Sequence, residues 1–239
     1  VINTEDDSGE QLRSPSATPG IRSPIIGSLC YVLFMALLLF VSAGSIDWLM
    51  AWIFLAVSLA IFLAGIVGTD PALTAERSRR HDDSRRWDRI LVPAIVLLGL
   101  LGLIVAGLTY RFVPGGQIPL PFQGVALIGM LLGNGLVFWA TRSNSFFSVT
   151  FRIQNDRGHT VAAAGPYRYV RHPGYIGMIA VALFQPLLLG SFWALLPAIV
   201  SVVLFVVRTG LEDRALCAEL GGYRNYASRV RYRLIPGVW

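Results

Sequence analysis

Charge is scarce in this 239-residue chain. Only 14% of it is charged, against roughly 25% in an average soluble domain, while 54% is hydrophobic. That balance excludes an ordinary soluble domain. Cysteine is nearly missing as well: Cys30 and Cys217 stand far apart, form no CxxC pair, and suggest neither a disulfide framework nor a zinc site. Three scattered histidines, His81, His159 and His172, argue against a structural metal cluster. No glycine-rich loop follows a strand pattern, so a soluble dinucleotide-type cofactor domain is not expected. Lysine is absent, and every basic residue is arginine. A formal charge of +6 on a soluble protein suggests nucleic acid, but here the arginines gather at the ends of apolar runs, which is a membrane-topology pattern.

What is present is a series of long, continuous Leu/Ile/Ala-rich runs. Runs of about 18 or more apolar residues predict transmembrane helices. Because lipid offers the backbone no hydrogen-bond partners, the choice is between helices and a closed barrel. The runs do not alternate with period two, so helices are expected. The fold class is therefore all-α, a polytopic transmembrane helical bundle.

The chain divides into three parts. Residues 1–24 are Ser/Pro/Gly/acid-rich and are expected to be disordered. Residues 25–140 hold four spans, near 25–43, 48–68, 90–110 and 125–140, with Trp48 and Trp52 expected at headgroup level and Pro93 in the first turn of the third. The connection 69–89 reads as a charged, solvated loop. Residues 141–239 begin with a polar, irregular segment. An apolar stretch, 174–207, is too short for two full spans and long for one. Breaks at Gln185-Pro186 and Gly190-Ser191 make it a tight hairpin of two shortish helices. The arginine distribution then has a simple reading: all but Arg111 fall on one side, expected to be cytoplasmic together with both termini.

Two stretches carry chemistry. The first, Gly165–Tyr175, reads GPYRYVRHPGY. Proline favours the first position of a helix and holds the residue before it extended, so a helix is expected to start at Pro173 with His172 at its cap. Free amides there suit an anion, and Tyr167, Tyr169 and Tyr175 offer ring faces to a cation. One segment could thus hold a ligand bearing both a carboxylate and a positive centre; equally, it could be an interfacial anchor. The second stretch places Arg208 and Glu212 on one helix face, with Asp213 beside them. Ionisable groups at a bilayer boundary either snorkel to water or mark a site. Beyond them, Tyr223, Tyr226 and Val230 share one face of a basic, interfacial tail.

Taken together, GPYRYVRHPGY, the apolar hairpin, RTGLED, and GGYRNYASRV through RLIP resemble the isoprenylcysteine carboxyl methyltransferase family. This family sits within a wider group of integral-membrane methyltransferases that includes phospholipid methyltransferases. The resemblance spans about Ser145 to Pro236. It implies S-adenosylmethionine as cofactor, held in a cytoplasm-facing pocket by His159, Thr160, Val161, Ala162, Tyr167, His172, Pro173, Gly174, Tyr175 and Glu212, with Gln154 as a further contact. It also implies Arg208 and Glu212 as catalytic residues, Arg208 orienting the acceptor. No metal and no nucleic acid are implied; the partners are membrane lipids and a lipophilic acceptor such as a carboxylate. This chain has Glu212-Asp213 where relatives have Glu-Glu, and Gly221-Gly222 where they have Phe-Gly. The alternatives are an amine-directed phospholipid N-methyltransferase, an NADPH-dependent isoprenoid or sterol reductase, and a non-catalytic membrane protein.

Overall fold

A computed structural model describes residues 22–67, 84–113, 115 and 117–239. The expectations for the N-terminal tail and for most of the charged loop fall outside these residues. The described chain is all-helical: α1 (Arg22–Ala43), α2 (Leu49–Val67), α3 (Asp88–Phe112), α4 (Leu120–Arg142), α5 (Pro173–Leu188), α6 (Leu195–Glu219) and a short α7 (Tyr223–Arg229). Two single 3-10 turns, Asn155–Arg157 and Gly165–Arg168, punctuate the irregular segment before α5. Five helices, α1 to α4 and α6, are long and apolar enough to cross a membrane. Large apolar side chains such as Leu33, Leu37, Leu97 and Leu132 face outward, as they must where the solvent is lipid. This is an integral, multi-pass membrane protein.

The hairpin forms, but not as two shortish helices. α5 has 16 residues and α6 has 25. At 1.5 Å per residue α5 rises only about 24 Å, against about 34 Å for its neighbour α4. The two are antiparallel and touch backbone to backbone. A Cβ added at Gly177 would lie 2.5 Å from the Gly133 carbonyl oxygen, and one at Gly133 would lie 2.9 Å from that of Gly177. Small residues are the usual means of bringing membrane helices this close, since lipid supplies little driving force for association. Pro186 stays inside α5, and the reversal comes at Gly190, whose φ is +75°.

That reversal meets the other tight turns at one end of the bundle. Ile118 N–H donates to the Gly190 carbonyl at 3.1 Å, Thr109 and Ser191 hydroxyls share a hydrogen bond of 2.8 Å, and Trp48 stacks on Tyr110. Trp48 is thus buried against the bundle at this turn end, whereas Trp52 is exposed. Pro93 lies one turn deeper than its sequence suggested, because α3 begins at Asp88. Among the described arginines only Arg111 lies at this turn end. The others belong to the opposite end, where α3, α5 and α6 bring their polar termini together.

Candidate active site

At that opposite end the bundle opens into a cavity of about 280 Å³. Its walls come from α3, the irregular segment 144–167, the start of α5, the polar end of α6, and α7. His159, Thr160, Val161, Ala162, Tyr167, His172, Gly174, Tyr175, Arg208 and Glu212 all line it. Tyr169, offered as a ring face, is exposed outside it, and two of the residues expected to hold the cofactor do not line it either. Pro173 is fully buried as the first residue of α5. Gln154 is buried behind the wall, where its amide donates to the Phe146 carbonyl at 2.8 Å and accepts from Arg157 at 2.5 Å. It braces the loop rather than facing the space.

His172 is the residue before α5, with φ −127° and ψ 59°, the non-helical backbone that a following proline favours. The amides around it are fewer than a bare helix start would offer. Its own N–H donates to the Arg233 carbonyl at 2.9 Å, Tyr175 N–H returns to the His172 carbonyl, and proline has none. Gly174 is the first-turn residue that borders the cavity, and a Cβ there would lie 2.6 Å from the Phe147 ring and push it aside.

The polar end of α6 splits its two acids between two tasks. Asp213, 2% exposed, is the centre of a knot. Arg171 grips it with two bonds of 2.7 and 3.0 Å, Arg233 donates at 2.8 Å, the Tyr223 hydroxyl at 2.9 Å, and His172 Nε2 lies 3.3 Å away. Arg171 also reaches the carbonyls of Val230 and Arg231 at 3.0 and 2.9 Å. Main-chain bonds from Arg171 and His172 to Tyr232 and Arg233 complete the seam. The knot therefore fixes the C-terminal tail to the α5 start. Glu212 instead faces the cavity: it accepts from the Tyr175 hydroxyl at 2.5 Å, and its other oxygen lies 3.7 Å from His172 Nδ1.

Arg208 also proves to have a fixed partner, which sequence reasoning missed. Its Nε and one terminal nitrogen donate to the fully buried Asp88 at 2.7 and 3.3 Å, and that nitrogen also donates to the Val149 carbonyl at 2.7 Å. Asp88 further accepts the Phe151 amide at 2.6 Å. The guanidinium lies over the Tyr175 ring, 5.3 Å from its centroid. Nη1 is left without a partner among the described residues. The signal for Asp88 was faint: an acid just ahead of an apolar run, with nothing local to pair it to a residue 120 positions away.

The tail tyrosines face the protein: Tyr223 and Tyr226 are buried, and Tyr226 donates to the Tyr167 carbonyl at 2.8 Å. Burial and the Asp213 charge push the Tyr223 hydroxyl well above the usual tyrosine range, so it stays a proton donor. Gly222 makes the corner before α7 at φ +81°, a conformation suited to glycine. On the opposite wall His159 stacks on Phe146 and its Nδ1 accepts the Gln154 backbone N–H at 3.2 Å. Burial, with Arg152 and Arg157 nearby, lowers its pKa and keeps it neutral.

A multi-pass helical bundle whose polar cavity joins acid, arginine, histidine and tyrosine at one end is the class that fold and site define. Residues 125–218 match the isoprenylcysteine carboxyl methyltransferase family. The chain is also 31% identical over 109 residues to a protein-S-isoprenylcysteine O-methyltransferase of Schizosaccharomyces pombe. That alignment covers 45% of each protein, so the chain spans about half the length of this relative.

Proposed function

We propose that the protein is an S-adenosylmethionine-dependent membrane methyltransferase whose acceptor is a lipophilic carboxylate, as the name of its relative suggests. The observation that carries this reading is the division of labour on α6. Asp213 is consumed in holding the fold, while Glu212 presents its carboxylate to the cavity beside aromatic faces. When bound, the cofactor supplies an electrophilic methyl group on a sulfonium. Its requirements fit the residues present. Glu212 and the rings of Tyr167 and Tyr175 offer negative potential to a cation. The Gly174 amide and His172 offer hydrogen bonds to a carboxylate or a ribose, and the 159–162 wall offers backbone groups and a flat imidazole.

Arg208 contributes through Nη1. Asp88 and Val149 hold the rest of the guanidinium still, so an acceptor carboxylate meets a donor already oriented. An ionised carboxylate needs no general base, and the protein's contribution is then chiefly alignment and exclusion of water. An amine acceptor would have to lose a proton first. The arginine asymmetry supports a cytoplasmic position for the cavity and for the tail.

Calorimetric titration of the purified protein with S-adenosylmethionine tests the cofactor. Labelled-methyl transfer to an S-prenylated cysteine, to its carboxamide and to phosphatidylethanolamine tests the acceptor. Transfer to the free carboxylate alone is expected. Transfer to phosphatidylethanolamine instead would move the reading to N-methylation, and binding of NADPH without any response to S-adenosylmethionine would falsify it.

A further inference from the structure

A second cavity, of about 270 Å³, lies deeper in the bundle between α3, α4, α5 and α6. Ile95, Met178 and Phe205 line both cavities and so form the partition between them. Most of its wall is aliphatic, as befits bilayer depth. Three of its residues are polar: Asn134, Gln185 and Ser201. Gln185 is twelve residues into α5, about 18 Å from its start, well below the polar end. Asn134 donates its amide to the Met130 carbonyl at 2.9 Å, which leaves its carbonyl oxygen as an acceptor. Ser201 donates to the Pro197 carbonyl at 3.0 Å, leaving lone pairs. The Gln185 side-chain amide has no hydrogen-bond partner among the described residues.

An amide that faces hydrocarbon without a partner is costly, and polar side chains at that depth point to a pathway or a ligand. The three groups here are neutral. A charged headgroup would find no counter-ion, and a plain hydrocarbon chain would leave Gln185 unpaired. We propose that this inner cavity binds a lipid chain carrying a neutral hydroxyl or carbonyl group, which Gln185 and Asn134 receive. Two sources share that chemistry: an oxygenated tail on the methyl acceptor itself, or a separate neutral bilayer lipid. The first deepens the methyltransferase reading and rests on it; the second does not.

Photo-crosslinking of the purified, detergent-solubilised protein with a diazirine-bearing long-chain alkanol tests this without any methyl donor. Peptides carrying Met178, Ala182 or Ala198 are expected to be labelled. On the wild-type protein, dodecanol should compete at roughly tenfold lower concentration than dodecane, the size of effect expected for one hydrogen bond in a dry site. Gln185→Leu should abolish that preference. An ω-hydroxy fatty acid about twelve carbons long matches the roughly 15 Å of helix from Tyr175 to Gln185. Better competition by that acid than by dodecanol assigns the chain to the acceptor, and equal competition assigns it to a bilayer lipid. Equal competition by dodecanol and dodecane on the wild-type protein, or labelling confined to the outer helix faces, overturns the proposal. Because no transfer is measured, its failure and that of the methyltransferase reading stay separable.

Discussion

Two buried carboxylates organise the polar end, and they differ in how widely each is shared. Asp88 has one charged partner, Arg208, plus the Phe151 amide, and it ties α3 to α6 and to the loop before the 3-10 turns. Asp213 has two arginines, a tyrosine and a histidine, and ties α6 to α5 and to the tail. A carboxylate taken out of water needs its charge and lone pairs answered. Asp213 is answered so fully that nothing remains for a ligand. The Asp88 pair leaves one arginine nitrogen over. The first arrangement makes structure, and the second makes structure with a donor to spare.

Removing the shared carboxylate should have the largest effect. Asp213→Ala strands Arg171 and Arg233 together and frees the tail, and a loss of about 3–5 kcal/mol is expected for breaking a buried pair. Thermal unfolding in detergent should show it, with the tail becoming protease-sensitive. Unchanged protease resistance would mean that the main-chain seam at 171–172 holds the tail alone.

Asp88→Asn comes next and sharpens the contrast. The amide keeps the volume and the Phe151 contact but loosens Arg208. Methyl transfer should fall about 100-fold, the scale of a misplaced positioning group, while S-adenosylmethionine affinity changes less than about threefold. Equal losses in both would assign Arg208 to the cofactor instead of the acceptor.

Glu212→Gln should leave the melting temperature almost unaltered, because Glu212 has no part in either knot. Calorimetry should show cofactor affinity reduced by about tenfold, a charge-assisted contact's worth. A large stability loss would show that Glu212 is a third structural acid. As a surface contrast, Arg85 pairs with Glu219 where both are about two-fifths exposed. Arg85→Ala should cost no more than about 0.5 kcal/mol, in keeping with exposed ion pairs.

The smallest effect is one of pH. His159 has a lowered pKa in the folded protein, so the unfolded chain takes up its proton first as the pH falls. Its stabilising contribution is full above the ordinary histidine value of about 6.5 and is lost as the pH drops through the folded value. Protonation would also remove the Nδ1 acceptor that holds the Gln154 backbone N–H. His159→Gln should flatten the decline in melting temperature below that pH; an identical profile would place the acid sensitivity elsewhere.

Sequence alone determined the bundle. Apolar run length, the absence of two-residue alternation and the arginine distribution follow from the bilayer, which acts on each segment separately. They yielded four spans, the hairpin and the helix start at Pro173. Motif spacing likewise brought His172, Tyr175, Arg208 and Glu212 to one place. Only the tertiary structure decided what each of these does. Pairings such as Asp88 with Arg208 and Arg171 with Asp213 join residues 120 and 42 positions apart, and no local pattern encodes them. The same is true of Trp48, Gln154 and the tail tyrosines, which the sequence set at a surface or against a ligand and packing placed inside. The reason is physical. Hydrophobicity fixes how deep a segment lies, but which buried charge answers which depends on how neighbouring helices are turned toward one another.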